Sequence, residues 1–546
     1  MTDLIQRTQS AYTYPLLVKS LFQTPLVDTP DQEIVYRGER RFTYREFRKR
    51  VRRLANALID LGVKHGDTVA VMDWDSHRYL ECFFAVPMIG AVLHTVNVKL
   101  SPEQILYTIS HAEDDYILVH TEFLPLIEQV RGRIDTVKGY VALQDGDEAA
   151  TTTVPLIGEY EALLGAARDS FVFEDLDENT RATTFYTTGT TGMPKGVYFS
   201  HRQLVLHTLG TLAALSVAEK QGRFHKNDVY MPITPMFHVH AWGFPYIATF
   251  AGVKQVYPGK YAPAHLLQLI ETEGVTFSHC VPTILHMLMA DPGFAAQDLT
   301  NWKVVVGGAA MPKAMCRQLL RKGADVFTGY GMSETCPVLT IAQVDAKNLS
   351  EDEEVDLRCK TGRPLPLVDI RLVDEEMEDI EQDAGAVGEL VVRAPWLTQA
   401  YLKDKRNSEV LWKGGFLHTG DVACVDGAGY YTITDRIKDV IKVGGEWLSS
   451  LELEDVIVAH EAVSEVAVIG CPDDKWGERP LALIVAKAEL AEKEVVKHVQ
   501  GFLDKGLLSK QALLIKVRFV EVIDKTSVGK INKRVLREKY LDALKR

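Results

Sequence analysis

No two of the seven cysteines (Cys82, Cys280, Cys316, Cys336, Cys359, Cys424 and Cys471) form a Cys-x-x-Cys pair, and their number is odd. Zinc ribbons and a disulfide framework are therefore not expected, and the pattern reads as that of a reducing compartment, the cytoplasm. Positive charge is also in short supply: 61 Lys+Arg against 74 Asp+Glu leave a formal charge of −13. Such an acidic chain argues against nucleic acid as a partner, and any anionic substrate must be met by local groups because the overall field does not attract it. Long hydrophobic runs are missing too. The longest, Cys82 to Val98, is interrupted by Pro87, His94 and Asn97. It is too short for a bilayer and reads as a buried helix followed by a strand, so no transmembrane segment is expected. Residues 1–21 lack a basic-then-apolar layout, so no secretory leader is expected. Internal repeats and low-complexity segments are absent from the sequence. What is present, 46% hydrophobic and 25% charged residues over 546 positions, is ordinary globular composition. At roughly 150 residues per domain the length allows two to four domains.

Along the chain, residues 41–63 place Phe47, Val51, Leu54, Ala55, Leu58 and Leu61 at helical spacing, closed by Gly62. Short apolar runs at Thr68–Met72, Tyr116–His120 and Tyr140–Leu143 read as buried strands, alternating with helical segments at Pro102–Ile109 and Leu124–Val130. That alternation predicts βαβ units and a mostly parallel sheet. The rhythm resumes at Lys254–Val256, Val275–Val281 and Val304–Val306. From 365 to 434 the runs Val368–Leu372, Gly388–Val392 and Tyr430–Thr434 alternate instead, as in a small antiparallel sheet. The acidic run Asp374–Asp383 reads as a solvated loop. The last hundred residues form an α+β stretch, with helices near Leu451–His460 and Lys493–Leu503, strands near Val463–Ile469 and Pro480–Val485, and then a basic tail. The expected architecture is thus α/β: a large N-terminal domain of βαβ-rich subdomains plus a small antiparallel β-subdomain, followed by an α+β C-terminal domain.

Five segments carry chemistry. The first is Tyr186-Thr-Thr-Gly-Thr-Thr-Gly-Met-Pro-Lys195-Gly-Val197. Gly189, Gly192 and Gly196 let the backbone approach an anion closely, Thr187, Thr188, Thr190 and Thr191 offer hydroxyl donors, and Lys195 adds charge. This is a phosphate cradle without the Gly-Lys-Ser/Thr of a Walker loop. The second is Gly329-Tyr-Gly-Met-Ser-Glu-Thr335, where Tyr330 suits a base, Glu334 a Mg²⁺ bridged to phosphates and Thr335 a phosphate; a turn capped by its own hydroxyls reads equally well. The third, Phe416-Leu-His-Thr-Gly-Asp421, sets a carboxylate after a tight turn, as ribose hydroxyls require and as many turns do. The fourth, Asp435 to Trp447, mixes charge with the pair Gly444-Gly445 at the junction of the two large regions. The fifth is Lys525-Thr-Ser-Val-Gly-Lys530-Ile-Asn-Lys533-Arg534, whose lysines taken singly read as surface.

In this order and spacing the five segments resemble the adenylate-forming superfamily of acyl-CoA synthetases, amino-acid adenylation domains and firefly-type luciferases, over essentially the whole chain. Asp435 to Ser450 and Pro235-Met-Phe-His-Val-His-Ala-Trp242 resemble the fatty-acyl-CoA synthetase branch, in particular bacterial medium-chain acyl-CoA and methylthiopropanoate-CoA ligases. The resemblance implies ATP, Mg²⁺ and CoA as cofactor and co-substrates and a small carboxylic acid as partner. A carboxylate attacks the ATP α-phosphate, giving acyl-AMP and pyrophosphate; the CoA thiol then displaces AMP. It implies that Thr187 to Lys195 hold the β- and γ-phosphates, that Thr187 and Glu334 serve Mg²⁺, and that Thr335 touches the α-phosphate. Gly308, Ala309 and Ala310 together with Gly329, Tyr330, Gly331, Met332 and Ser333 flank the adenine slot, and Asp421 and Arg436 bind ribose. Lys530 bridges carboxylate and α-phosphate, and Lys438 is the hinge about which residues 438–546 turn relative to 1–437. That rotation withdraws Lys530 and brings Gly444 and Gly445 to the pantetheine tunnel. His238, Val239, Trp242, Gly307 and Gly308 line the acyl side, with Trp242 resembling a gating aromatic; core filling is the alternative for Trp242, and satisfied core histidines for His238 and His240. Lys438 reads equally as an exposed lysine.

Amino-acid-activating relatives carry an aspartate after the phenylalanine of the Phe237 motif, and His238 stands there instead, so an amino-acid substrate is disfavoured. Where acetate-type relatives carry an arginine for the CoA phosphate, Trp447 stands. The leading expectation is an AMP-forming acyl-CoA ligase for medium-chain fatty acids. Alternatives are a short or specialised acid such as 3-methylthiopropanoate, an aromatic acid, an acyl-AMP ligase loading a carrier protein, and a non-catalytic nucleotide-binding regulator. Analogy with the family raises a homodimer.

Overall fold

The computed structural model describes residues 4–546 except 147–150, 188–192, 220–221, 345–346, 348, 381–386, 445, 474, 506–507, 527–529, 542 and 544–546. Two large sheets dominate the first four hundred residues. One has seven strands, in the order Leu156–Glu159, Gly139–Leu143, Asp114–His120, Thr68–Met72, Val92–Thr95, Arg181–Thr187 and Lys195–Ser200. All neighbours in it are parallel except the last pair. The other has nine strands and a parallel centre built from Asp325–Gly331, Lys303–Val306, Phe277–Cys280, Val229–Pro232, Lys254–Tyr257 and Glu33–Tyr36. Antiparallel strands close both of its edges.

The strand Thr68–Met72 is buried at every position, as expected of a sheet covered by helices on both faces. The helix Tyr44–Asp60 starts at a capping box: Glu46 N–H donates to Thr43 Oγ1 and Thr43 N–H to Glu46 Oε2 over 2.7 Å. Its apolar stripe, Phe47, Val51, Leu54, Ala55 and Leu58, is buried. Cys82–Val98 resolves into the helix His77–Met88 and the strand Val92–Thr95, both buried. Among the described residues no helix is long and apolar enough to cross a membrane.

The alternating runs beyond 365 form a four-stranded antiparallel sheet of Asp369–Val373, Gly388–Arg393, Leu417–Val425 and Tyr431–Arg436. Residues from Ile441 onward build a separate sheet on the strands Val463–Asp473 and Gly477–Ala486, with helices Ser450–Val458 and Glu492–Leu503. The expected basic tail is structured. Lys516–Phe519 adds a parallel strand to Gly477–Ala486, and the helix Lys533–Tyr540 follows. The positive charge hid a period: Leu536 is buried against Ile469, Leu481 and Leu483 while Arg534, Arg537 and Lys539 make ion pairs at the surface. Leu536→Ala is expected to cost about 2–5 kcal/mol of stability in the C-terminal unit, the range for a truncated core leucine. Urea unfolding followed on that unit checks it; a solvated tail would give a change within about 0.5 kcal/mol.

Candidate active site

The carboxyl ends of the parallel strands of the nine-stranded sheet converge on one floor, the usual place for a ligand crevice in a sheet of this kind. Gly307 and Gly308 follow the strand Lys303–Val306. A Cβ on Gly307 would stand 2.7 Å from Gly329 O and 3.1 Å from the Trp242 ring. Gly308 has φ of +78°, and a Cβ there would meet Lys530 Cε at 3.1 Å. The floor is thus glycine by necessity, with Trp242 on one side and Lys530 on the other. Gly331 is equally forced, since a Cβ would penetrate Pro337 O. Ala309 and Ala310 are exposed on the same rim.

Lys530 travels a long way to reach this floor, and the junction that carries it is pinned. Asp435 Oδ2 accepts from Ser450 N–H at 2.6 Å and Ser450 Oγ at 2.7 Å. Lys533 pairs with Glu454 at 2.8 Å and donates to Ser450 Oγ. Three residues earlier, the Lys530 ammonium enters the site buried. Desolvation and the nearby Arg436 guanidinium pull its pKa down to about 8, with Asp421 and Glu334 opposing. His238 faces it. Burial first, then the charges of Lys530 and Lys99, push this imidazole down to about 3, so it is neutral at physiological pH.

Asp421 and Arg436 are register partners on adjacent strands. Asp421 is buried, its Oδ1 is 3.0 Å from Arg436 Nε, and its Oδ2 accepts from Tyr330 OH at 2.6 Å. Burial and that carboxylate drive the Tyr330 phenol far above its usual range. Glu334 is also buried, and its Oε1 accepts from Tyr401 OH at 2.7 Å. The Tyr401 ring lies 4.5 Å beneath the Lys195 ammonium. Residues 398–402 clamp this arrangement. Thr398 N–H donates to Glu334 O, Thr398 Oγ1 to Tyr198 O, and Leu402 N–H to Gly196 O.

The two ends of the phosphate cradle stand side by side, Thr187 opposite Lys195 in an antiparallel pair. Thr188, Gly189, Thr190, Thr191 and Gly192 lie outside the described residues, as does Gly445. The structure therefore brings Lys195, Glu334, Tyr330, Asp421, Arg436, His238, Gly307, Gly308 and Lys530 around one cleft. Thr335 is turned inward: its hydroxyl donates to Pro337 O and Met332 O and is fully buried, so it holds the Met332–Ser333 turn. Gly444, with φ of +62°, packs against the Trp476 ring in its own sheet. Lys438 is exposed in the turn between Tyr431–Arg436 and Ile441–Val443.

The acyl-side motif has an unusual backbone. Val239, His240, Ala241 and Trp242 all adopt left-handed φ, between +47° and +57°. Each such non-glycine residue costs about 1–2 kcal/mol relative to a right-handed turn. Packing holds the turn in place. His240 is buried among Phe83, Phe185, Phe199 and Tyr246, a core histidine pushed down to about 3 by desolvation. Trp242 is buried with its ring 5.1 Å from His279. Sequence reasoning missed Tyr401 and Thr398. Neither belongs to a periodic pattern, and each becomes a site residue only through contacts across the fold.

A single well-placed carboxylate suits Mg²⁺, which keeps its waters and takes the rest of its ligands from substrate phosphates. Glu334 meets that requirement, with Oε1 committed to Tyr401. Among the described residues no group of three or more His, Cys, Asp and Glu side chains is arranged as an all-protein cage.

With burial and Arg436 drawing Lys530 down to about 8, the kcat/KM of any reaction that depends on its ammonium is expected to be flat below pH 7 and to fall as pH rises through about 8. In Lys530→Arg the remaining activity should lose that fall, because guanidinium stays charged; an unchanged alkaline limb would assign it to another group.

Two family models match the chain: AMP-binding enzyme over residues 22–402 and AMP-binding enzyme C-terminal domain over 452–530. A long-chain-fatty-acid–CoA ligase of Thermus thermophilus is 42% identical, covering 92% of this chain and 90% of that protein. A 3-methylmercaptopropionyl-CoA ligase of Ruegeria pomeroyi is 39% identical over 90% of each chain. A medium-chain-fatty-acid–CoA ligase of Ectopseudomonas oleovorans is 38% identical over 93% of this chain and 92% of that one. Among solved structures, ATP-bound MatB of Rhodopseudomonas palustris superposes with a TM-score of 0.81 at 25% identity, covering 97% of this chain and 100% of that chain. The chain thus belongs to the AMP-binding enzymes of the adenylate-forming superfamily, among the acyl-CoA ligases.

Proposed function

We propose that this protein joins an uncharged carboxylic acid of short to medium chain length to CoA in two steps, with the residues gathered on the Gly307–Gly308 floor doing the work. The observation that carries this reading is the Lys530 ammonium, buried against Gly308 among Glu334, Asp421 and Arg436. In the first step a carboxylate oxygen attacks the α-phosphorus of ATP and the bond to pyrophosphate breaks. Lys530, a compact point charge, bridges the incoming carboxylate and the α-phosphate. Lys195 and the threonines of the cradle hold the outer phosphates. Asp421 and Arg436 take the ribose hydroxyls, and Gly308–Ala310 with Gly329–Gly331 flank the base. Glu334, assisted by Thr187, would hold Mg²⁺, which when bound neutralises phosphate charge. In the second step the CoA sulfur attacks the acyl carbonyl carbon and the bond to AMP breaks.

The two steps need different groups at one place, which supports a boundary at 437/438 with Lys438 as hinge and Gly444-Gly445 serving the second step. The arrangement seen here, with Lys530 in the site and Gly444 against Trp476, suits the first. Neutral His238 and buried Trp242 favour an apolar acyl chain; an ammonium there would have no anionic partner. The left-handed turn at 239–242 supports Trp242 as a movable wall, because backbone strain of this kind lowers the cost of leaving the closed form. Relatives named for medium-chain and for 3-methylmercaptopropionyl substrates bracket the acid: medium-chain first, and a short thioether acid if Trp242 stays closed. Seven free cysteines suit the cytoplasm.

The test is CoA-dependent AMP formation with acids from propanoate to palmitate, 3-methylthiopropanoate and an aromatic acid. An optimum among medium-chain acids is expected. AMP formation indifferent to CoA would overturn the thioester step, and no pyrophosphate with any acid would overturn the ligase reading for them. Lys530→Ala should cripple pyrophosphate release, by about 10²-fold or more for a lost transition-state charge contact, while sparing thioester formation from supplied acyl-AMP. Equal loss in both steps would refute its role. Trp242→Ala should widen the range of acids; an unchanged range with lower thermal stability would make it a core residue.

A further inference from the structure

One side chain between the strands Gly388–Arg393 and Leu417–Val425 reaches both charged arms of the ATP side. Glu334 stands in the turn after the strand Asp325–Gly331, whereas Lys195 opens the last strand of the seven-stranded sheet. Tyr401 belongs to neither of those strands. Its hydroxyl donates to Glu334 Oε1 at 2.7 Å, and its ring lies 4.5 Å from Lys195 Nζ. The backbone around it is tied to the same two places. Tyr401 makes an isolated antiparallel bridge with Val197, and Leu402 N–H donates to Gly196 O at 2.8 Å. Thr398 N–H donates to Glu334 O at 2.9 Å. Tyr401 N–H donates to Ser408 Oγ at 2.9 Å, which anchors the segment to the helix Lys405–Leu411. Gly196 records how close the approach is: a Cβ there would stand 2.9 Å from Leu402 Cβ. The last glycine of the cradle is thus required by the protein's own chain at 401–402.

A phenol is the residue type this arrangement calls for. The carboxylate takes a charge-assisted hydrogen bond, and the ammonium takes the negative face of a ring. Phenylalanine supplies only the second and glutamine only the first. The hydrogen bond on Oε1 fixes the rotation of the Glu334 carboxylate and leaves Oε2 without a hydrogen-bond partner among the described residues. We propose that Tyr401 is a positioning residue of the ATP site: its hydroxyl orients Glu334 for the divalent cation that accompanies the phosphates, and its ring holds the Lys195 ammonium at the end of the phosphate cradle. One side chain thereby sets the metal side and the phosphate side of the cleft relative to each other. This role rests on the ligase reading above.

Binding and turnover separate the two contacts. ATP affinity of the wild-type, Tyr401→Phe and Tyr401→Leu proteins is measured by titration calorimetry, once with EDTA and once with Mg²⁺. Pyrophosphate release is then followed against Mg²⁺, ATP and acid, with thermal unfolding alongside. Tyr401→Phe keeps the ring and loses only the hydroxyl. It is expected to bind metal-free ATP as the wild type does and to lose about tenfold of the affinity that Mg²⁺ adds, the low end for a hydrogen bond to a charged group. Half-maximal pyrophosphate release should need about tenfold more Mg²⁺, while the KM for the acid stays where it is. Tyr401→Leu is expected to weaken metal-free ATP as well, by about three- to fivefold for the lost contact between cation and ring. In a Glu334→Gln background, Tyr401→Phe should add nothing to the Mg²⁺ requirement, because the two residues act as one unit. An unchanged Mg²⁺ requirement, additive effects of Tyr401→Phe and Glu334→Gln, or a rise in the KM for the acid that matches the rise for ATP would each overturn the proposal and leave Tyr401 a packing residue. A wild-type protein that binds no ATP would overturn the ligase reading itself.

Discussion

The active site exists because one ammonium is brought out of water onto a floor that carries no side chains. Lost hydration and the Arg436 charge draw Lys530 down to about 8 against the pull of Asp421 and Glu334. Nothing bulkier than glycine is tolerable at Gly307 or Gly308 if the lysine is to lie there. The glycine floor, the flanking carboxylates and the junction behind Lys530 are therefore one construction. Asp435 ties Ser450 of the C-terminal unit to the strand Tyr431–Arg436, and within that unit Lys533 with Glu454 fixes the segment that follows Lys530.

Charge is organised against the overall field. The chain carries a net −13, yet Lys195, Arg436 and Lys530 stand around the cleft. A substrate bearing several phosphates gains from these local cations at short range, where low dielectric amplifies them and the distant acidic surface is screened. The partners of each cation divide the labour. Arg436 is committed to Asp421 and Lys195 to the Tyr401 face, while Lys530 has no ion pair among the described residues.

Much of this was legible in the sequence, for identifiable reasons. The strands Thr68–Met72 and Lys303–Val306 carry the apolar runs Val69–Met72 and Val304–Val306, and a parallel sheet buried on both faces leaves that mark. The glycine-threonine cradle and the Gly-Lys before Ile531 are local signatures, readable without knowing what they touch. The helix Lys533–Tyr540 was hidden because its exposed face is cationic, and one buried leucine per two turns is a weak periodic signal. Tyr401 was invisible for another reason. Its partners Glu334 and Lys195 lie 67 and 206 positions away, and no local spacing encodes such a meeting. Thr335 was legible in its place but not in its orientation: the sequence offers a hydroxyl next to Glu334, and only the fold decides that it bonds Met332 and Pro337.

The left-handed turn at 239–242 shows how strain and specificity are joined. A segment that costs several kcal/mol in backbone conformation persists only where its surroundings over-determine it. Here the surroundings are unequal. His240 is locked by four aromatic rings on the core side, whereas Trp242 rests on His279 and on the glycine floor at Gly307. The turn is thus held at one end by a ring cage and at the other by a single indole over a residue without a side chain, so indole burial and backbone relaxation pull against each other at Trp242.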